Sequence, residues 1–208
     1  MIRAILYDLD GVLVDACDWH YEALNRALRE LLGIQIDREE HKTTFNGLPT
    51  MKKLQKLVML GRILESDIDA ISNLKQKYTT KTIDEFAGLD KTKVELHEHM
   101  TRSVGIPIAC VTNSVRSTAE LMLERTGQLK YMSFIVSNED VTYPKPSAEG
   151  YIQSMVRLSS QPHQTLIVED SDVGIAAATA SCARVLHVDN ASNVTLDRIT
   201  ACVREFTR

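Results

Sequence analysis

Five short apolar runs, each followed by polar residues, leave this chain few folds to choose from: Ile2 to Tyr7, Ile106 to Val111, Phe134 to Val136, Leu166 to Val168 and Val185 to Val188. Runs of this length without polar alternation read as strands buried on both faces, the pattern of a parallel sheet covered by helices. Helical patterns separate the last four: Val115 to Thr126 closed by Gly127, Ala148 to Leu158, and Val173 to Ala180, with a final amphipathic segment from Leu196 to Phe206. The expectation is an α/β fold with a Rossmann-like parallel sheet.

Roughly a hundred residues separate the first run from the second, far more than one crossover helix needs. Within them Leu24, Ala27, Leu28, Leu31 and Leu32 repeat at helical spacing with Gly33 as a stop, Met51, Leu54, Leu57 and Val58 make a second stripe, and Ile68, Ile71, Leu74 and Tyr78 a third. These spacings predict an inserted helical domain over residues 15–86 and a core formed by 1–14 with 87–208. Gly88 marks the return, followed by a helix near Lys91 to Ser103.

The polar residues that follow the strands then become informative. Asp8 and Asp10 follow the first, Thr112, Asn113 and Ser114 the second, Lys145 the third, and Glu169, Asp170 and Ser171 the fourth. Carboxyl ends of parallel strands share one edge of an open sheet, where ligands bind, so these groups are expected to converge. Asp8 and Asp10 point the same way on an extended chain, and like charges so close need a cation or a shared proton.

Two aspartates, a hydroxyl, a lysine and an acidic pair suit phosphoryl transfer. A carboxylate can act as nucleophile and split a hard hydrolysis into two easier steps. Mg²⁺ favours carboxylates, a few waters and substrate phosphate oxygens, and Asp8, Asp170 and Glu169 can supply the carboxylates. Lys145 would neutralise the phosphate, and Thr112 with nearby backbone N–H groups would hold its oxygens. Asp10 is left to move the proton, as acid and then as base.

These residues resemble a known family. The runs DLDGVLVD, VTNS, YPKPSAEGY and VEDSDVGIAAATA, in this order, are similar to the four motifs of the haloacid dehalogenase superfamily, with a helical cap inserted after the first. The resemblance implies a Rossmann-like core, Mg²⁺ as cofactor, Asp8 as nucleophile and Asp10 as acid/base with its backbone carbonyl on the metal. It also implies phosphate contacts from Thr112, Asn113 and Lys145, and Asp170 and Glu169 at the metal. Because Asp10 is present, phosphoryl chemistry is implied rather than dehalogenation.

The expected activity is a phosphatase acting on a small phosphorylated metabolite, with a sugar phosphate as the candidate substrate. A phosphosugar mutase of the β-phosphoglucomutase type is the alternative, which the resemblance of Asp8, Asp10 and His20 supports. Pro49, standing where such a mutase has an arginine, and Ala16, in place of a hydroxyl residue, speak against it. A receiver-like signalling module is the non-enzymatic alternative, and its phosphorylated aspartate would follow the third strand rather than the first.

In the insertion, His20, Gly47, Thr50 and Lys53 are candidates for substrate specificity. Lys52, Lys53 and Lys56 otherwise read as a solvated helix face. Thr50 is a candidate helix cap, Asp15 is expected to cap the first inserted helix, and Ser171 the helix after the fourth strand.

Composition narrows the partners. With 24 Lys+Arg against 28 Asp+Glu, a net charge of −4 and 5% aromatic residues, the chain has no basic field for nucleic acid. No apolar run approaches the length of a membrane helix. An N-terminal run interrupted by Asp8 and Asp10 reads as no signal peptide, so a cytoplasmic location is expected. Four widely spaced cysteines suggest neither a disulfide framework nor a zinc ribbon. The oligomeric state has no signature in the sequence.

Overall fold

A computed structural model describes residues 1–206. Its elements run in the order β1 (Ala4–Tyr7), α1 (Cys17–Leu32), α2 (Arg38–Glu40), α3 (Thr50–Met59), α4 (Ile68–Phe86), α5 (Lys91–Glu98), β2 (Ile108–Val111), α6 (Arg116–Arg125), β3 (Met132–Val136), α7 (Glu149–Arg157), β4 (Thr165–Glu169), α8 (Asp172–Ala180), β5 (Arg184–His187) and α9 (Leu196–Glu205). The chain divides into two compact units, Met1–Asp15 with the chain from Gly88 onward, and Ala16–Ala87.

The first unit is built on a five-stranded sheet of order β3-β2-β1-β4-β5, parallel throughout. All five expected strands are present. β1 is central, with Tyr7 opposite Cys110 of β2 and Val168 of β4. This register brings the carboxyl ends of β1, β2 and β4 to one edge. β1, β2 and β4 are wholly buried. The expectation of burial on both faces fails for β3 and β5, whose patterns are mixed, because both are edge strands with a neighbour on one side only.

Leu6, Ala109, Val111, Ile167, Tyr151, Met155, Ala177 and Ala178 pack one face of this unit. Polar side chains close the helix ends. Ser171 accepts from Gly174 N and caps α8 as expected, Thr195 caps α9 and Asp90 caps α5 through Lys93 N. The last turn after α5, His99–Val104, widens to a π-helix and ends at Gly105 with φ of 77°.

The second unit packs α1, α3 and α4 around Leu24, Leu28, Phe45, Leu54, Leu57 and Ile71. Gly33 stops α1 in the left-handed conformation, its N–H bonded to Arg29 O. Asp37 caps α2, which runs on into a π-turn, His41–Phe45, that the apolar spacing did not foretell.

Two expected caps are corrected. Ala16, not Asp15, precedes α1 with no side-chain cap, and Pro49 precedes α3 while Thr50 is its first residue. Lys53 is also not on a solvated face: it is buried, whereas Lys52 and Lys56 are exposed. No helix among the described residues is long and apolar enough to cross a membrane.

Candidate active site

Asp8 is the first residue past β1, its N–H donating to Val168 O at 3.0 Å. The chain then folds tightly: Leu13 N and Val14 N both donate to Leu9 O at 2.9 Å, and Gly11 N to Val14 O at 2.7 Å. Gly11 has φ of 89°, a conformation that other residues take only with strain. The turn holds Asp10 beside Asp8.

At the end of β2, Thr112 is buried and its Oγ1 accepts from Ser114 N at 3.0 Å. Ser114 Oγ in turn donates to Asp10 Oδ2 at 2.8 Å. Asn113 clasps the Lys145 peptide, its Oδ1 accepting from Lys145 N at 3.0 Å and its Nδ2 donating to Lys145 O at 3.2 Å. Thus the residue after Thr112 fixes where Lys145 enters.

Lys145 Nζ lies 2.6 Å from Asp8 Oδ1 and 2.5 Å from Glu169 Oε1, with all three residues buried. Tyr151 OH donates to the same Glu169 Oε1 at 2.5 Å. Two glycines make room for the acidic groups. A Cβ on Gly11 would stand 2.1 Å from Asp170 Oδ2, and one on Gly174 2.0 Å from Glu169 Cδ.

Burial pushes the Asp8 carboxyl well above the usual carboxylate range; Lys145 pulls it down, and Glu169, Asp170 and Asp10 push it further up. Burial, then the Glu169 and Asp10 charges, raise Asp170 to about 7. Lys145 stays protonated, since Asp8 and Glu169 outweigh the burial that opposes its charge. One ammonium therefore faces four carboxylates, a site short of positive charge.

Asp8, Glu169 and Asp170 each offer an oxygen within 4.8 Å of the others, a grouping able to hold a metal ion. Asp170 Oδ1 is buried without a hydrogen-bond partner. Hard carboxylate oxygens, an orphaned acceptor and unbalanced negative charge together fit a hard divalent cation.

The structure thus gathers Asp8, Asp10, Thr112, Asn113, Lys145, Glu169 and Asp170. His20, Gly47, Thr50 and Lys53 belong to the helical unit, where Lys75 Nζ stands 3.2 Å from His20 Nδ1 and Gly47 has φ of 72°. His41, 6% exposed, carries no expectation from the sequence. Burial, then Lys53, His20 and Lys75, lower its pKa to about 3. Two partners in the α/β unit, Ser114 and Tyr151, carried no assigned role in the sequence, although Ser114 lies in the VTNS run and Tyr151 ends the YPKPSAEGY run.

A turn bearing two aspartates after the central strand of a parallel sheet, with a helical unit inserted in the chain beyond it, is the arrangement of a class of α/β hydrolases. The chain belongs to the haloacid dehalogenase-like hydrolases, whose family pattern matches residues 5–188. It is similar to the fructose-1-phosphate phosphatase YqaB of Escherichia coli (strain K12), 28% identical over 183 residues that cover 85% of this chain and 91% of that protein. A phosphorylated carbohydrates phosphatase of Thermotoga maritima is 28% identical over 182 residues, 86% of this chain and 82% of that protein. In fold it resembles β-phosphoglucomutase from Clostridium difficile, with a TM-score of 0.84, 23% identity, and coverage of 100% of this chain and 99% of that one.

Proposed function

We propose that this protein is a Mg²⁺-dependent phosphatase that hydrolyses a small phosphorylated metabolite, a sugar phosphate foremost, through an aspartyl-phosphate on Asp8. The observation that carries this is the environment of Asp8: a buried carboxylate at the end of β1, paired with Lys145 at 2.6 Å and grouped with Glu169 and Asp170. The names of the phosphatases to which the chain is similar support the substrate class.

Asp8 attacks phosphorus, forming an O–P bond as the bond to the leaving oxygen breaks. Asp10, oriented by Ser114, gives that oxygen its proton. It then takes a proton from the water that cleaves the Asp8–phosphorus bond, and phosphate leaves. Lys145 and Thr112 receive phosphate oxygens, and Asn113 serves by holding Lys145. Asp8, Asp170, Glu169 and the Asp10 carbonyl would hold Mg²⁺, which would supply charge neutralisation for the phosphoryl group.

In this reading residues 1–14 and 87–208 are the catalytic core and 15–86 a cap that sets specificity, with His20, Gly47, Thr50 and Lys53 as its selecting residues. The protein works in the cytoplasm, in keeping with four free cysteines. A receiver-like role is disfavoured by the strand order, which differs from the flavodoxin-like 2-1-3-4-5 order. The fold likeness to β-phosphoglucomutase keeps a mutase as the second reading.

A screen of phosphate release from sugar phosphates, nucleotides and short organic phosphates tests the proposal. Release that needs Mg²⁺ and falls to background in Asp8→Asn is expected. No release from any substrate, or turnover intact in Asp8→Asn, overturns it. Isomerisation of β-glucose 1-phosphate with a bisphosphate primer would establish the mutase instead.

A further inference from the structure

Tyr151 takes no step in the chemistry set out above, yet its hydroxyl reaches the middle of the site. The residue lies on α7, fully buried, and donates to Glu169 Oε1 at 2.5 Å, the oxygen that Lys145 Nζ also holds at 2.5 Å. The Lys145 ammonium stands over the Tyr151 ring, 4.8 Å from its centroid. The other carboxylate oxygen, Glu169 Oε2, accepts from Asp170 N at 3.2 Å and from Ser171 Oγ at 3.5 Å.

A phenylalanine would fill the same space without bringing a polar atom into the interior. A buried tyrosine hydroxyl is costly unless it has an acceptor. Here the acceptor is a carboxylate of the metal-holding trio Asp8, Glu169 and Asp170. Gly174 completes the seat: a Cβ there would stand 2.0 Å from Glu169 Cδ, so the carboxylate is bounded by its backbone on one side and by Tyr151 on another.

We propose that Tyr151 is a positioning residue for divalent-cation binding, its hydroxyl fixing the orientation in which Glu169 faces Asp8 and Asp170. The inference rests on the metal-assisted reading of this site. Outer hydrogen-bond partners of this kind set the geometry of metal ligands, and removing one weakens metal affinity by about 10- to 100-fold. The ring itself, under the Lys145 ammonium, survives replacement by phenylalanine; only the hydroxyl is lost.

Calorimetric titration of the whole protein with Mg²⁺ alone tests this without reference to turnover. Tyr151→Phe is expected to weaken Mg²⁺ binding by about 10- to 100-fold. In a Glu169→Gln background the same substitution is expected to have little further effect, whereas a general structural role would give the same penalty in both backgrounds. Unchanged affinity in Tyr151→Phe, or equal penalties in the two backgrounds, overturns the proposal. Should Tyr151→Phe not fold, native protein labelled with fluorotyrosine gives a second readout: Mg²⁺ must shift the Tyr151 fluorine resonance, and its constancy overturns the proposal. A wild-type protein that binds no Mg²⁺ overturns the underlying reading, a result distinct from normal wild-type binding with an unaffected Tyr151→Phe.

Discussion

Asp170 occupies the space that a side chain on Gly11 would need: a Cβ there would stand 2.1 Å from Asp170 Oδ2. Gly11 also has φ of 89°. Gly11→Ala is therefore expected to lose about 1–2 kcal/mol from the left-handed backbone alone and to push Asp170 aside. Urea melts give the first quantity. The second is read as a smaller rise in melting temperature on adding Mg²⁺ than the wild type shows.

The charge imbalance predicts how metal-free stability depends on pH. Asp170, raised to about 7 by burial and by Glu169 and Asp10, keeps its proton in the folded state over a range where the unfolded chain has lost it. The folded state binds more protons there, so stability falls as pH rises from the ordinary carboxylate range to about 7. Asp8 acts in the same direction. Melting temperatures of metal-free protein across this window should fall, and the increment from Mg²⁺ should grow; a flat profile would contradict both.

Gln128 ties the turn carrying Asp10 to the rest of the α/β unit. Its Nε2 donates to Leu13 O at 3.0 Å, and its Oε1 pairs with His97 Nε2 at 2.9 Å, all buried. Gln128→Leu leaves these groups without partners and is expected to cost about 1–3 kcal/mol. Turnover should fall as well, because Leu13 belongs to the turn that places Asp10. Chemical denaturation together with phosphate release checks the two effects.

In the helical unit, His41 stays neutral because burial first, and then Lys53, His20 and Lys75, hold its pKa at about 3. Lys53→Met removes the charge that acts most strongly on His41. The His41 pKa should rise while remaining below its usual value, since burial persists. Histidine ring resonances followed through a pH titration measure this directly, and an unmoved value would show that Lys53 does not act on His41.

The α/β core was legible because its strands are uninterrupted apolar runs and its site residues lie past strand ends, Asp8, Thr112 and Asp170 directly and Lys145 at the end of the longer segment that follows β3. Asp8, Thr112, Lys145 and Asp170 could be placed at one edge before any contact was known. What escaped the sequence depends on approach in space. Ser114 meets Asp10 across 104 positions of chain, and a hydroxyl carries no mark of its partner. Lys53 reads as solvated because lysine usually is, and only the packing of α3 buries it. Asp15 and Thr50 are residue types that favour helix caps, but the helices begin one residue away from where each could serve.

β1 and β2 lie side by side in register, Ile5 opposite Ile108, although the helical unit stands between them in the chain. The sheet therefore needs nothing from that unit to complete its topology, and the unit joins the core through two backbone crossings, near Asp15 and Gly88. Such an arrangement works as a cassette. Under the proposed function, selection could redraw the helices, or exchange them whole, and so change the molecules recruited while the reacting atoms keep their places.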